Sequence, residues 1–135
     1  MTIEFGFAIT MLVVLALGTF DFGRLGLRKI TVSNAARAGA EYGTQDFGTA
    51  TDVNGIIQAA RNDADDNNNS LNIAARQYCS CPTDGEIACT AMCSDGTFNL
   101  MYVEVSVQDQ VDLVFPYPGV TSPRAIVSTS KMRVR

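Results

Sequence analysis

An uncharged, strongly apolar run lies close to the N-terminus, from residue 5 to residue 20. Glu4 precedes this run, and Asp21 and Arg24 follow it. A helix of about 20 apolar residues spans the hydrocarbon core of a bilayer, and apolar residues beyond Asp21 extend the run toward that length. A cleavable signal peptide would begin with basic residues, whereas this segment opens with an acid. The run therefore predicts a membrane helix that is retained.

The helical pattern continues beyond the apolar run, because residues 25–42 contain no proline and small or apolar residues recur on one helical face. Small residues allow neighbouring helices to approach closely in membranes and bundles. The predicted helix-packing residues are Gly18, Ala35, Ala36, Gly39 and Ala40. A kinked helix is the alternative, since glycine lowers helix propensity. Residues 1–43 are thus predicted to form a transmembrane and polymerisation helix.

The rest of the chain, residues 44–135, is predicted to form a head domain outside the cytoplasm. A polar stretch follows the long helix, and residues 52–61 then have the pattern of a short second helix with Thr51 or Asp52 as its cap. Residues 63–70 are almost wholly Asp, Asn and Ser, so they predict a solvated loop.

Strand patterns occupy the second half of the head domain. They cover residues 71–79, 100–108 and 124–134, with alternating apolar residues that indicate one buried face. Pro116 and Pro118 exclude a central strand between the last two and mark a crossing loop. The predicted fold class is α+β, with a long N-terminal helix packed on a small antiparallel sheet.

Four cysteines lie together in a loop-like stretch between two strand candidates. They are Cys79, Cys81, Cys89 and Cys93. Outside the cytoplasm such a set predicts two disulfides that staple the loop. A bond from Cys79 to Cys81 would be strained, which leaves either Cys79 with Cys93 and Cys81 with Cys89, or the crossed pairing. A zinc site is the alternative, but the C-x2-C spacing common in such sites is missing.

The composition argues against catalysis and against nucleic acid as a partner. The chain contains no histidine, so the familiar Ser-His-Asp and Cys-His arrangements cannot be built. The net charge of −4 and the lack of a dense basic run argue against phosphate binding. We therefore expect no enzymatic activity, no cofactor, no small-molecule substrate and no nucleic acid.

Two groups of charged residues suggest more specific roles. Asp63, Asp65 and Asn67 have the alternate spacing of a calcium loop, but the glycine and the closing glutamate of an EF-hand are missing, so a solvated loop is the better interpretation. Asp21 and Arg24 can pair across one helical turn and would mark the membrane boundary.

Glu4 requires a separate explanation, because a carboxylate at the edge of a bilayer is costly without a partner. One hypothesis is that Glu4 stays hydrated at the level of the lipid headgroups. The other is that it pairs with a cation, such as the N-terminal amine of a neighbouring subunit.

Several motifs match a known family as a set. Glu4 and Phe5 open the apolar helix, residues 21–24 read DFGR, and residues 34–43 read NAARAGAEYG. The cysteine-bearing loop after a strand and the final strand, which ends at residues 130–134, add to the likeness. Together they resemble the TadE-like pilins and pseudopilins of the tight-adherence (Tad) branch of type IV pili.

The resemblance implies a prepilin that is held in the bacterial inner membrane, meets the pilus assembly machinery and polymerises through its helix into an extracellular homopolymeric filament. It also implies that Glu4, with Phe5 beside it, guides subunit docking. The acid usually stands fifth in the mature protein, so we expect either that Met1 is not the mature start or that one residue is absent. The alternatives are a minor pseudopilin, which the length of the chain favours, and a membrane-anchored periplasmic binding domain that does not polymerise.

Overall fold

The structure is a computed structural model and describes residues 2–134. The described residues form three helices and four strands. These are α1 (Thr2–Gly43), α2 (Phe47–Thr51), α3 (Val53–Asp63), β1 (Asn72–Cys81), β2 (Gly85–Ile87), β3 (Leu100–Val111) and β4 (Arg124–Arg133). The expectation about Met1 falls outside the described residues. The predicted α+β class, with one long apolar helix and an antiparallel sheet, is confirmed.

Helix α1 runs unbroken for 42 residues. A kinked helix was the alternative because of the glycines in this segment, but the helix continues through them. Two threonines lie within its uncharged run, and both bond back to the preceding turn. The hydroxyl of Thr10 donates to the carbonyl of Gly6 at 2.9 Å, and that of Thr19 donates to the carbonyl of Leu15 at 2.8 Å. This back-bonding satisfies both polar side chains within the helix, as an apolar environment requires.

The four strands form an antiparallel sheet in the order β2-β1-β3-β4. The three longer strands cover the three predicted segments, while the three-residue β2 was not predicted. In the middle of the sheet, Ala75 lies opposite Val105, and Val105 lies opposite Ser130. The predicted crossing loop lies between β3 and β4.

The core lies between the second half of α1, the short helix α3 and one face of the sheet. Its fully buried members come from these three elements and from α2: Val32, Ala35, Ala36, Ala40, Ala50, Ile56, Ala60, Val103, Val105 and Val107. Gly39 allows the backbone of α3 to approach α1 closely, since a Cβ atom there would lie 3.1 Å from the carbonyl oxygen of Ile56. The second half of α1 is therefore one wall of the head domain.

Two caps define the short helices that follow α1. Asp46 accepts a hydrogen bond from the backbone N–H of Thr49 and begins α2, a five-residue helix within the polar stretch that follows α1. Asp52 accepts from the backbone N–H of Gly55 and begins α3, which confirms one of the two predicted caps. Both contacts satisfy N–H groups that a helix start leaves without partners.

Candidate assembly and membrane surface

The first half of α1 projects from the head with its apolar side chains uncovered. Every residue from 4 to 17 is exposed, including Phe7 at 78% and Leu12 at 65%. A helix that is apolar on all faces requires lipid or other helices around it. The rest of the described chain leaves residues 4–17 uncovered, so the covering surface for them must come from outside the folded head.

Among the described residues, α1 is the one helix long and apolar enough to cross a membrane. The core helix of a soluble protein can pass the same test, but such a helix is mostly buried. Only 6% of the most apolar window of α1 is buried. Its exposure therefore fits membrane anchoring better than a place in a core.

Glu4 and Phe5 lie at the start of this exposed half. Both side chains are exposed, and no described residue forms an ion pair with Glu4. The Glu4 carboxylate is thus available to solvent, to lipid headgroups or to a second chain. The docking role of both residues stays a prediction.

Asp21, at the other end of the uncharged run, is almost fully buried. It accepts hydrogen bonds from the backbone N–H groups of Val114, at 3.1 Å, and Phe115, at 3.2 Å. The expected pairing with Arg24 is not the contact that the structure shows, because Asp21 is directed toward these two donors. The Arg24 guanidinium instead lies over the Phe20 ring, 5.8 Å from its centroid. The role of Asp21 and Arg24 as a membrane boundary stays a prediction.

Val114 and Phe115 belong to residues 112–123, which we call the proline loop. Three aromatic rings join this loop to α1. The Tyr117 ring centroid lies 6.0 Å from that of Phe22 and 5.3 Å from that of Phe115. The Tyr117 hydroxyl lies over Gly18, 3.9 Å from where a Cβ atom on that glycine would be. Gly18 thus packs against the chain's own loop.

Replacing Asp21 with alanine should release the proline loop from α1. The change leaves two N–H groups without an acceptor, at a cost of about 1–3 kcal/mol for each buried one. Hydrogen exchange measured by mass spectrometry should show faster exchange of the peptide that carries Val114 and Phe115. Asp112→Ala is the matched control, since Asp112 is an exposed aspartate in the same loop. Equal exchange in the two variants would contradict the attachment of the proline loop to α1 through Asp21.

The predicted small-residue face packs mainly within the chain itself. Ala35, Ala36 and Ala40 are fully buried. A Cβ atom on Gly39 would lie 3.1 Å from the Ala60 Cβ and 3.3 Å from the Val105 Cγ1. The helix that approaches this face is α3 of the same molecule, so these four residues are not available to a neighbouring subunit.

The cysteine loop contains the two predicted disulfides, in the crossed pairing that the sequence left open. Cys79 is bonded to Cys89, and Cys81 is bonded to Cys93. All four sulfurs are therefore committed, and none is free to bind zinc. Asp84 braces the same loop by accepting from the backbone N–H and the hydroxyl of Ser94. These hydrogen bonds lower the pKa of Asp84 below its usual value.

The acidic loop does not assemble the calcium candidates around a common centre. The side-chain amide of Asn67 donates to Asp65 at 3.0 Å, and no described group of three or more acidic, Cys or His side chains is placed to hold a metal. Asp66, which the sequence did not single out, orders the loop instead. It accepts from the backbone N–H groups of Ser70 and Leu71.

The outer face of the sheet has a charged row that the sequence analysis missed. Arg76, Glu104 and Lys131 lie opposite one another on three strands, and Arg76 also contacts Glu86 at 3.0 Å. Burial raises the pKa of Glu104, but hydrogen bonds and the positive charges of Arg76 and Lys131 outweigh this effect and leave the pKa lowered. Only the strand register brings these residues together.

A pair of stacked tyrosines lies next to the charged row. The rings of Tyr78 and Tyr102 have centroids 5.6 Å apart, and the Arg76 guanidinium lies 4.9 Å from the centroid of Tyr78. Cross-strand pairs of this kind stabilise a sheet modestly. The row and the tyrosines together give the outer face a polar and aromatic surface.

Comparison with known proteins finds one family that is similar to the segment containing the exposed helix. Residues 1–41 match the model of the TadE-like protein family, which confirms the predicted resemblance. The match covers nearly all of α1 and stops before α2, α3 and the sheet. No curated protein and no solved structure matches the chain. The match relates α1 to a family of pilus-related, pilin-like proteins.

Proposed function

Because the TadE-like segment coincides with the exposed apolar helix, we propose that this chain is a structural pilin-like subunit. It enters the inner membrane through α1 and assembles through the same helix into a type IV, Tad-like filament outside the cell. The exposure of every residue from 4 to 17 carries the proposal. Lipid covers this surface before assembly, and the helices of neighbouring subunits cover it afterwards.

The contacts between subunits fall on the first half of α1, since the chain's own α3 and sheet occupy the face around Gly39. Apolar side chains gain little when they exchange lipid for another helix, because lipid tails are equally apolar. Close packing and polar contacts must therefore favour assembly. A carboxylate in an apolar bundle is costly without a partner, so a pairing of Glu4 between subunits would set their register.

The remaining partners follow from this placement. The pilus assembly machinery moves the subunit from the membrane into the filament, and the sheet and the cysteine loop lie on the outside, where they contact the surroundings or other subunits. The role is structural, without a catalytic centre, a cofactor, a small-molecule substrate or nucleic acid.

A second candidate is a minor pseudopilin, or an anchored periplasmic domain that does not polymerise. One observation favours it. The small-residue face looked suited to contacts between subunits, but it is buried within the chain. Contacts between subunits through α1 therefore depend on Glu4 and the exposed apolar surface.

Replacing Glu4 with alanine should abolish or strongly reduce filament yield while the protein still enters the membrane, because the change removes only the carboxylate that pairs subunits. Filaments sheared from cells are counted by electron microscopy, and the membrane fraction is quantified in parallel. Glu41→Ala is the matched control, since Glu41 is an exposed carboxylate on the same helix that pairs with Arg37 at 2.8 Å. Such surface pairs contribute only about 0–1 kcal/mol. Unchanged filament yield in the Glu4 variant would rule out the docking role.

The two candidate functions differ in what sheared material contains. Uniform thin filaments with this chain as their main component, identified by mass spectrometry, would support a shaft subunit. Detection of the chain in membranes alone would favour the pseudopilin or the anchored domain.

A further inference from the structure

We propose that the proline loop, residues 112–123, is a second membrane-contacting element that enters the lipid headgroup region beside α1 and sets the depth of the head. This inference rests on the proposed insertion of α1. Its occupant is the bilayer interface. Four features of the loop support it: its attachment to α1, its reach, its exposed side chains and the charges around it.

The attachment places the loop at the end of the apolar run. Asp21 is the first charged residue after this run, and it accepts hydrogen bonds from the backbone N–H groups of Val114 and Phe115. If residues 5–20 lie in the hydrocarbon, these two peptide groups lie at the hydrocarbon boundary. The loop therefore has a fixed height relative to the membrane.

The loop also reaches past this boundary. The Tyr117 hydroxyl lies over Gly18, which precedes Asp21 by three positions and lies within the uncharged run. At about 1.5 Å of rise per residue, this is roughly 4.5 Å further along the helix toward the membrane centre. The Tyr117 hydroxyl is buried against α1, and tyrosine is among the aromatic residues enriched at the membrane interface.

The exposed side chains of the loop suit lipid better than water. Residues 113–123 contain no charge. Val114 is 60% exposed, and Phe115 and Val120 are 38% and 39% exposed. On the adjoining part of α1, Phe20 and Phe22 are exposed as well. Loop and helix thus present one continuous apolar rim, and aromatic residues are enriched at the membrane interface.

Cations lie around the apolar rim. Lys29 and Arg124 line a groove between α1 and β4 together with Phe22 and Leu25. Long basic side chains place their apolar stems along such a surface and extend their charge to headgroup phosphates. Attraction to anionic lipid favours Lys and Arg side chains near the membrane surface. This charge pattern complements an anionic bilayer.

The chain contains no tryptophan, so a single introduced indole reports on one position. The test uses the full-length Phe115→Trp variant in vesicles of phosphatidylethanolamine and phosphatidylglycerol with bromine at shallow acyl positions. We expect a blue-shifted emission that the bromine quenches more strongly than that of the control, since an interfacial aromatic side chain lies beside the shallow acyl positions. The control is Phe98→Trp, because Phe98 is 82% exposed beside the cysteine loop and should keep its emission. Val114→Trp is a second reporter in case the Phe115 site does not tolerate the indole.

The outcomes separate this inference from the proposed function. Vesicle flotation reports insertion of α1, so protein that does not float contradicts both. Protein that floats, with quenching no greater for either loop variant than for Phe98→Trp, overturns the loop inference and leaves membrane insertion intact. A blue shift without bromine quenching also overturns it, since a neighbouring protein surface would then cover the loop.

Discussion

Replacing Gly39 with valine should lower the free energy of unfolding by about 1–3 kcal/mol, the usual cost of overpacking a well-packed core. The new Cβ atom would lie 3.1 Å from both the Ile56 carbonyl oxygen and the Ala60 Cβ, and 3.3 Å from the Val105 Cγ1. A backbone oxygen cannot move aside as a flexible side chain does. The helix and the sheet would therefore have to separate. Thermal unfolding of the full chain in detergent, followed by circular dichroism, measures the change.

Gly23→Val is the matched control for this experiment. Gly23 lies on the same helix, and a Cβ atom there would have no neighbour within 4 Å. The two substitutions change local helix propensity alike, so their difference isolates the packing cost. Equal melting temperatures would mean that α1 does not pack on α3 and the sheet as closely as the structure shows.

Removing the disulfide between Cys79 and Cys89 by double alanine substitution should cost about 2–4 kcal/mol, since a cross-link restricts the unfolded chain. The two cysteines are separated by 10 positions, and Cys79 is also buried near the C-terminal end of β1. The segment between them is otherwise held by the short pairing of β2 with the end of β1. The same thermal unfolding experiment measures the loss. Thr90→Ala, at an exposed position next to Cys89, should have little effect.

The pairing itself can be tested with the single variant Cys79→Ala. In the crossed pairing this change frees the thiol of Cys89 and leaves Cys81 bonded to Cys93. Alkylation of the unreduced protein, followed by tandem mass spectrometry, should label Cys89. A label on Cys93 would indicate the other pairing, and four reactive thiols in the unmodified protein would mean that no disulfide forms.

The elements that the sequence predicted well have strong local patterns. The apolar run predicted the membrane-type helix, and alternation predicted the three long strands, because these periodicities depend on neighbours within one element. β2 and α2 were missed since they contain only three and five residues, too few to show a period. Asp46 is the local signal that could have revealed α2, because Thr49 follows it at the spacing of a capping box.

Contacts between distant parts of the chain could not be predicted from such patterns. Arg24 was the nearest charge to Asp21 along the helix, yet the partners of Asp21 are peptide groups more than 90 positions away. The small-residue face had the right composition for a helix neighbour, but periodicity does not say whether that neighbour is another subunit or α3. The cysteine spacing likewise did not distinguish between two disulfide pairings. In the structure, the register of β1 against β2 places Cys79 opposite Ile87, two positions before its partner Cys89.

Helix α1 continues without a break from its exposed first half into the wall of the core. A change in the orientation of the first half is therefore transmitted rigidly to the head domain. Membrane helices tilt by about 20° on average. The part of α1 beyond Asp21 is roughly 33 Å long at about 1.5 Å per residue. Such a tilt would move its far end sideways by about 11 Å and turn the sheet by the same angle. If α1 spans a membrane, the direction in which Tyr78 and Tyr102 face is therefore set by the tilt of its first half.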